Sequence, residues 1–92
     1  MSQLTLSEEN LISFTRELQV LIKAGVPLTR SLDLIRIQTK DIKMKNIMTT
    51  MISDLSEGKS LTKAMGRYKR IFSPFYISVF LLVRAEENSM SR

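Results

Sequence analysis

The stretch from Leu18 to Leu28, LQVLIKAGVPL, restricts this chain more than any other. Before it, Leu11, Phe14, Leu18, Leu21 and Ile22 recur at three- and four-residue steps, the signature of one apolar helix face. At Gly25 that pattern stops. Glycine takes positive φ without a Cβ penalty and suits the position just past a helix end. Val26, before a proline, is biased to extended geometry. Pro27 is placed at the first turn of a new helix, N1, where its missing N–H costs nothing. Ala24, Gly25 and Pro27 therefore form a structural corner at which one helix ends and another begins.

The rest of the chain reads as further short helices folding back on that corner. Residues 1–6 are expected to be a disordered tail, with Thr5 or Ser7 capping the first helix. Leu28, Leu32 and Ile35 make the buried stripe of helix two, flanked by Leu34 and Ile37, and that helix ends near Thr39. Asp41 is the N-cap of helix three, whose stripe is Met44, Ile47, Met48, Met51, Ile52 and Leu55. The methionines are read as core rather than interface, since Met fills irregular gaps. Gly58 ends that helix, and Ser60 caps a short fourth one carrying Leu61, Ala64, Met65 and Tyr68. Ser73-Pro74 opens helix five. No segment alternates with period two. The expectation is all-α: a compact antiparallel bundle of four to five short helices over residues 7–87, with 88–92 frayed and ending before a transmembrane span.

Helix five is apolar almost all round, and a chain of 92 residues buries only roughly 60–65% of its unfolded surface. Phe75, Tyr76, Val79, Phe80 and Leu82 are therefore candidates for core and for self-association, as a homodimer. The longest apolar run, Phe75 to Val83 interrupted by Ser78, is too short to cross a bilayer, which takes about 20 residues. No secretory leader is visible at the start.

Charge narrows the functional classes. The net charge of +5 is concentrated: residues 1–35 carry −1, 36–72 carry +6, and 73–92 are neutral. A basic middle suits an anionic neighbour. Arg36, Lys40, Lys43, Lys63, Arg67, Lys69 and Arg70 are the candidate contacts for a partner or for anionic lipid headgroups. The chain has no His and no Cys, which removes the commonest general base, the commonest metal ligand and the thiolate nucleophile. The acids Glu8/Glu9 and Glu86/Glu87 fall at opposite ends, and adjacent acids on a helix diverge. No Gly-rich phosphate loop exists. The expectation is no enzyme, no cofactor and no metal. The alternative is a small basic helical nucleic-acid-binding module, because a glycine turn between two helices has helix-turn-helix character. Helix two, however, is mostly apolar and lacks a basic reading face, so nucleic acid is not the expected partner.

Several of these features stand in a fixed order. They are Leu18, Leu21 and Ala24-Gly25-Val26-Pro27-Leu28 with Leu32 and Leu34; Glu57-Gly58-Lys59-Ser60-Leu61 with Ala64; Ile71-Phe72-Ser73-Pro74 with Tyr76; and Val83-Arg84-Ala85-Glu86-Glu87. Together, over roughly Phe14 to Glu87, they resemble the cytoplasmic domain of the type II secretion F family. These are the polytopic inner-membrane platform proteins of type II secretion systems and type IV pili. The resemblance implies a non-catalytic scaffold on the cytoplasmic side of the bacterial inner membrane. It implies as partners a cytoplasmic assembly ATPase, other inner-membrane platform proteins, and pilins or pseudopilins. Glu86 stands where the family usually has the first glycine of a Gly-Glu-x-x-Gly turn, and Met90 near the second. The metal site that some members have near that turn is therefore not carried over.

Overall fold

The computed structural model describes residues 8–90 of the chain and, within them, the side chains of 9–82. Five helices follow one another: α1 (Glu8–Lys23), α2 (Leu28–Gln38), α3 (Ile42–Ser56), α4 (Leu61–Gly66) and α5 (Pro74–Met90). No strand occurs among the described residues, and the class is all-α. The expected caps Thr5 and Ser7 and the expected tail lie outside the described residues. Helix α5 runs past Glu87 to Met90.

The corner between α1 and α2 is closed by backbone geometry. Gly25 has φ +91°, the N–H of Val26 donates to the carbonyl of Leu21 at 3.0 Å, and that of Gly25 to Ile22 at 3.0 Å. This paired return satisfies carbonyls that the helix end would otherwise leave orphaned. Gly58 repeats the device at the end of α3: φ +93°, Lys59 N–H to the Asp54 carbonyl and Gly58 N–H to Leu55, both 3.0 Å. A Cβ would meet nothing within 4 Å at either glycine. The demand there is for the left-handed backbone, not for space.

Pro27 stands one residue earlier than the expected N1 position. It is the N-cap of α2, with φ −57° and ψ 150°. Its carbonyl accepts the Ser31 N–H at 2.8 Å and the Ser31 hydroxyl at 3.0 Å. Ser31 is wholly buried, and these bonds are what allow a hydroxyl there. Asp41, Ser60 and Ser73 cap as expected: their side chains accept from Lys43 N at 2.9 Å, Lys63 N at 3.1 Å and Tyr76 N at 3.1 Å.

Consecutive helices pack on one another, α2 against α3 most extensively and α5 against α4 only sparsely. The core takes Phe14 and Leu18 from α1, Leu32 and Ile35 from α2, and Met44, Ile47, Met48 and Met51 from α3. Leu61, Ala64, Met65, Phe72 and Phe80 complete it. The methionine stripe is core. Ile37 is not a flank of the α2 stripe: it is 58% exposed, because two residues past Ile35 lie about 200° further round the helix. Four rings join α1 to α5: Phe14 to Phe72 at 5.7 Å between centroids, Phe72 to Tyr76 at 5.5 Å, and Tyr76 to Phe80 at 6.1 Å. The Tyr76 and Thr15 hydroxyls hydrogen-bond across the same seam.

Candidate functional site

The seven basic candidates do not form one surface. Arg36, Lys40 and Lys43 gather where α2 gives way to α3. Lys63, Arg67, Lys69 and Arg70 gather where α4 gives way to α5. Helix α3 separates the groups: from Lys43 to Asp54, the residue that holds Arg67, it rises about 17 Å. A basic middle in sequence is thus two basic corners in space.

At the first corner Arg36 is already occupied. Its Nε and Nη2 donate to Asp33 Oδ1 at 3.0 and 2.7 Å, a pair three residues apart on α2. Lys40 is exposed and Lys43 half-buried. Lys45 Nζ donates to the Arg36 carbonyl at 3.4 Å, placing a cation at the negative end of α2. Asn10 of α1 donates to Asp41 Oδ2 at 2.9 Å and ties the corner down.

At the second corner Arg67 is held. Its Nε and Nη2 donate to Asp54 Oδ2 and Oδ1 at 3.1 and 2.8 Å, a two-pronged pair. Lys59 Nζ adds a contact to the same carboxylate at 3.6 Å. Asp54 is only 4% exposed, although it sits in the last turn of α3 near the negative end of the helix dipole. The Arg67 hydrogen bonds outweigh its burial and hold the Asp54 carboxyl below its ordinary value of 3.8. The same bonds raise Arg67. Its fork therefore clamps α3 to the end of α4, and Lys63, Lys69 and Arg70 are left as the exposed cations of the corner. Asp54 escaped the sequence reading, although a signal exists: it continues the Met44, Ile47, Met51 stripe at a three-residue step, an acid on a core face.

The α5 candidates separate by face. Phe80 is 2% exposed and belongs to the core, with Tyr76 half-buried beside it. Burial raises the Tyr76 phenol, with the Thr15 hydrogen bond opposing. Phe75 is 79% exposed and Leu82 64%, with Val79 between them in sequence. These three recur at four- and three-residue steps, so they line one outer stripe.

Four hollows open between the helices among the described residues. Three along α1 are lined by one or two ionisable groups each, Glu17, Arg16 with Glu17, and Arg16 with Tyr76. A fourth, about 410 Å³, opens at the α4–α5 corner among Gly66, Arg67, Tyr68, Lys69, Arg70 and Ile71. Among the described residues no group of three or more acids could hold a metal ion, and no helix is long and apolar enough to cross a membrane. The side chains of Glu86 and Glu87 lie outside the described residues.

Comparison with known proteins places this arrangement. Residues 14–89 match the family model described as type II secretion system protein F. The chain is 32% identical over 81 residues to a type IV pilus assembly protein PilC of Thermus thermophilus, covering 88% of this chain and 19% of that protein. It is 34% identical over 77 residues to a type II secretion system protein F of Xanthomonas campestris, covering 84% of this chain and 18% of that protein. A type IV pilus assembly protein TapC of Aeromonas hydrophila is 31% identical over 75 residues, 82% of this chain and 17% of its own length. The chain thus spans less than a fifth of these relatives. With helices α2 to α4, both glycine corners and the capping residues Ser60 and Ser73 inside the matched span, the chain belongs to the type II secretion system protein F family.

Proposed function

We propose that this chain is a non-catalytic scaffold domain of an inner-membrane platform protein for type IV pilus or type II secretion assembly, standing on the cytoplasmic side. The observation that carries the reading is the family match across residues 14–89, with relatives named for both kinds of assembly. Two features of the fold support it. The core is small and fully hydrogen-bonded where it is polar: no buried side-chain nitrogen or oxygen lacks a partner among the described residues. The outer surface offers separate charged and apolar areas, which suits a part that touches several neighbours at once.

In this reading the α2–α3 corner, with Lys40 exposed and Lys43 half-buried near it, meets an acidic face of the assembly ATPase. The outer stripe of α5 beyond its first turn, at Val79 and Leu82, meets a second copy or another platform subunit. Pilins or pseudopilins are further partners of the assembled machine. A nucleic-acid module is disfavoured by the outer side of α2, where Asp33 neutralises Arg36 and Ile37 is exposed.

The test reverses charge at Lys40 and Lys43 in the full-length parent protein. Pilus yield or secretion should fall while circular dichroism of the isolated chain stays helical. Undiminished assembly, or a copurified ATPase fraction equal to that of the unaltered protein, would remove the docking role.

A further inference from the structure

We propose that the α4–α5 corner is a docking surface for an anionic phospholipid bilayer, with Lys69 and Arg70 meeting headgroup phosphates and Phe75 entering the interfacial layer. Three observations carry this. First, the α4–α5 corner holds three cations without carboxylate partners among the described residues. Lys63, Lys69 and Arg70 are exposed and have no carboxylate within ion-pair distance among the described residues. Second, the most exposed large apolar residue of the described chain, Phe75, lies five positions after Arg70 in the first turn of α5. An aromatic side chain standing out beside a cationic turn is the pairing that binds membrane surfaces: charge attracts the body and the ring partitions at the headgroup level. Third, the hollow at Gly66–Ile71 is broad and open, and of its two guanidinium groups Arg67 is clamped by Asp54, which leaves Arg70 exposed beside Lys69.

The chemistry that remains favours a bilayer over a protein. One of the corner's two guanidinium forks, that of Arg67, is used internally, and two of the three cations left exposed, Lys63 and Lys69, are point charges on flexible stems that impose no fixed geometry on a partner. Lys63, Lys69 and Arg70 are left as exposed charges on long side chains. A fluid sheet of phosphates needs no register, and each Lys or Arg near it changes partitioning about fivefold. Charge complementarity therefore selects a continuous anionic surface. The inference stands apart from the platform reading, because the chain and vesicles alone suffice to examine it.

The experiment is co-sedimentation of the 92-residue chain with phosphatidylcholine vesicles, with and without about 30% phosphatidylglycerol, at low and high salt. The unaltered chain should bind the anionic vesicles and release at high salt. Lys69→Glu with Arg70→Glu should lower partitioning about 25-fold or more. Phe75→Ser should lower it about threefold or more while leaving net charge unchanged. Lys23→Glu with Arg30→Glu, an equal charge change at the α1–α2 corner, should cost much less than the 69/70 pair. Circular dichroism checks that each variant is folded. Equal losses from the two charge pairs would mean diffuse attraction and would overturn the proposal. So would binding to pure phosphatidylcholine, no binding at low salt, full displacement by millimolar glycerol phosphate, or preferential capture by polyglutamate.

Discussion

Asp54 shows how a single residue can be costly and still fit. A carboxylate on the core face, in the last turn of a helix, opposes both desolvation and the helix dipole. Arg67 resolves the conflict by reaching back from the end of α4 with two hydrogen bonds. The pH consequence follows from the sign of the shift. A carboxyl held below its ordinary value of 3.8 contributes stability that is present above 3.8 and is lost as pH falls through the lower folded value. Arg67→Gln removes the main cause of that shift. The variant should melt at a lower temperature than the unaltered chain at neutral pH. The difference should shrink as pH falls through that lower folded value, below which both carry a protonated Asp54. Thermal melts by circular dichroism from pH 2 to 7 check this. A difference that stays constant across that range would mean Arg67 acts by packing alone.

At the scale of elements, α5 is the one whose faces contrast most. Its inner side presents Tyr76, Ile77 and Phe80 to the bundle, and its outer side presents Phe75, Val79, Leu81 and Leu82. Its backbone contacts to the rest are sparse, so side chains do the anchoring: the ring series from Phe14 to Phe80 and the Thr15–Tyr76 hydrogen bond. Two substitutions two positions apart, about 200° round the helix, should therefore behave oppositely. Phe80→Ala leaves a cavity at the end of the ring series and should cost about 3–5 kcal/mol. Leu82→Ala removes surface already in water and should stay within about 0.5 kcal/mol. Urea unfolding of the two variants checks the pair, and similar losses would mean that α5 is seated differently. The element boundaries were largely legible. Gly25, Gly58, Ser60 and Ser73-Pro74 each announce a stop or a start by local chemistry. The face of α5 was not legible, because a helix apolar on every side carries no periodic mark of which side is inward.

For the whole molecule the question is what covers the outer stripe of α5. Its described extent is 42 × 25 × 23 Å, a longer body than a sphere of this chain would make. If the stripe meets a second copy, sedimentation should show a dimer growing with concentration, and Leu82→Glu should abolish it. A strict monomer at high concentration would assign the stripe to a different neighbour.

Sequence alone determined the all-α class, the order of the helices, the corner at Gly25 and Pro27, and the family. These follow from local rules: apolar spacing, glycine at positive φ, and side chains that cap the nearest N–H groups. It also indicated which stripe of α3 is buried. Only the tertiary structure decided how the charges and the last helix are used. Cations that are neighbours along the chain were parted by the length of α3, Arg67 was drawn to an acid thirteen positions away, and Phe80 was separated from Phe75 by the side of α5 that met the ring of Phe72. Those outcomes depend on which surfaces come together in space, and spacing along a chain carries no record of that.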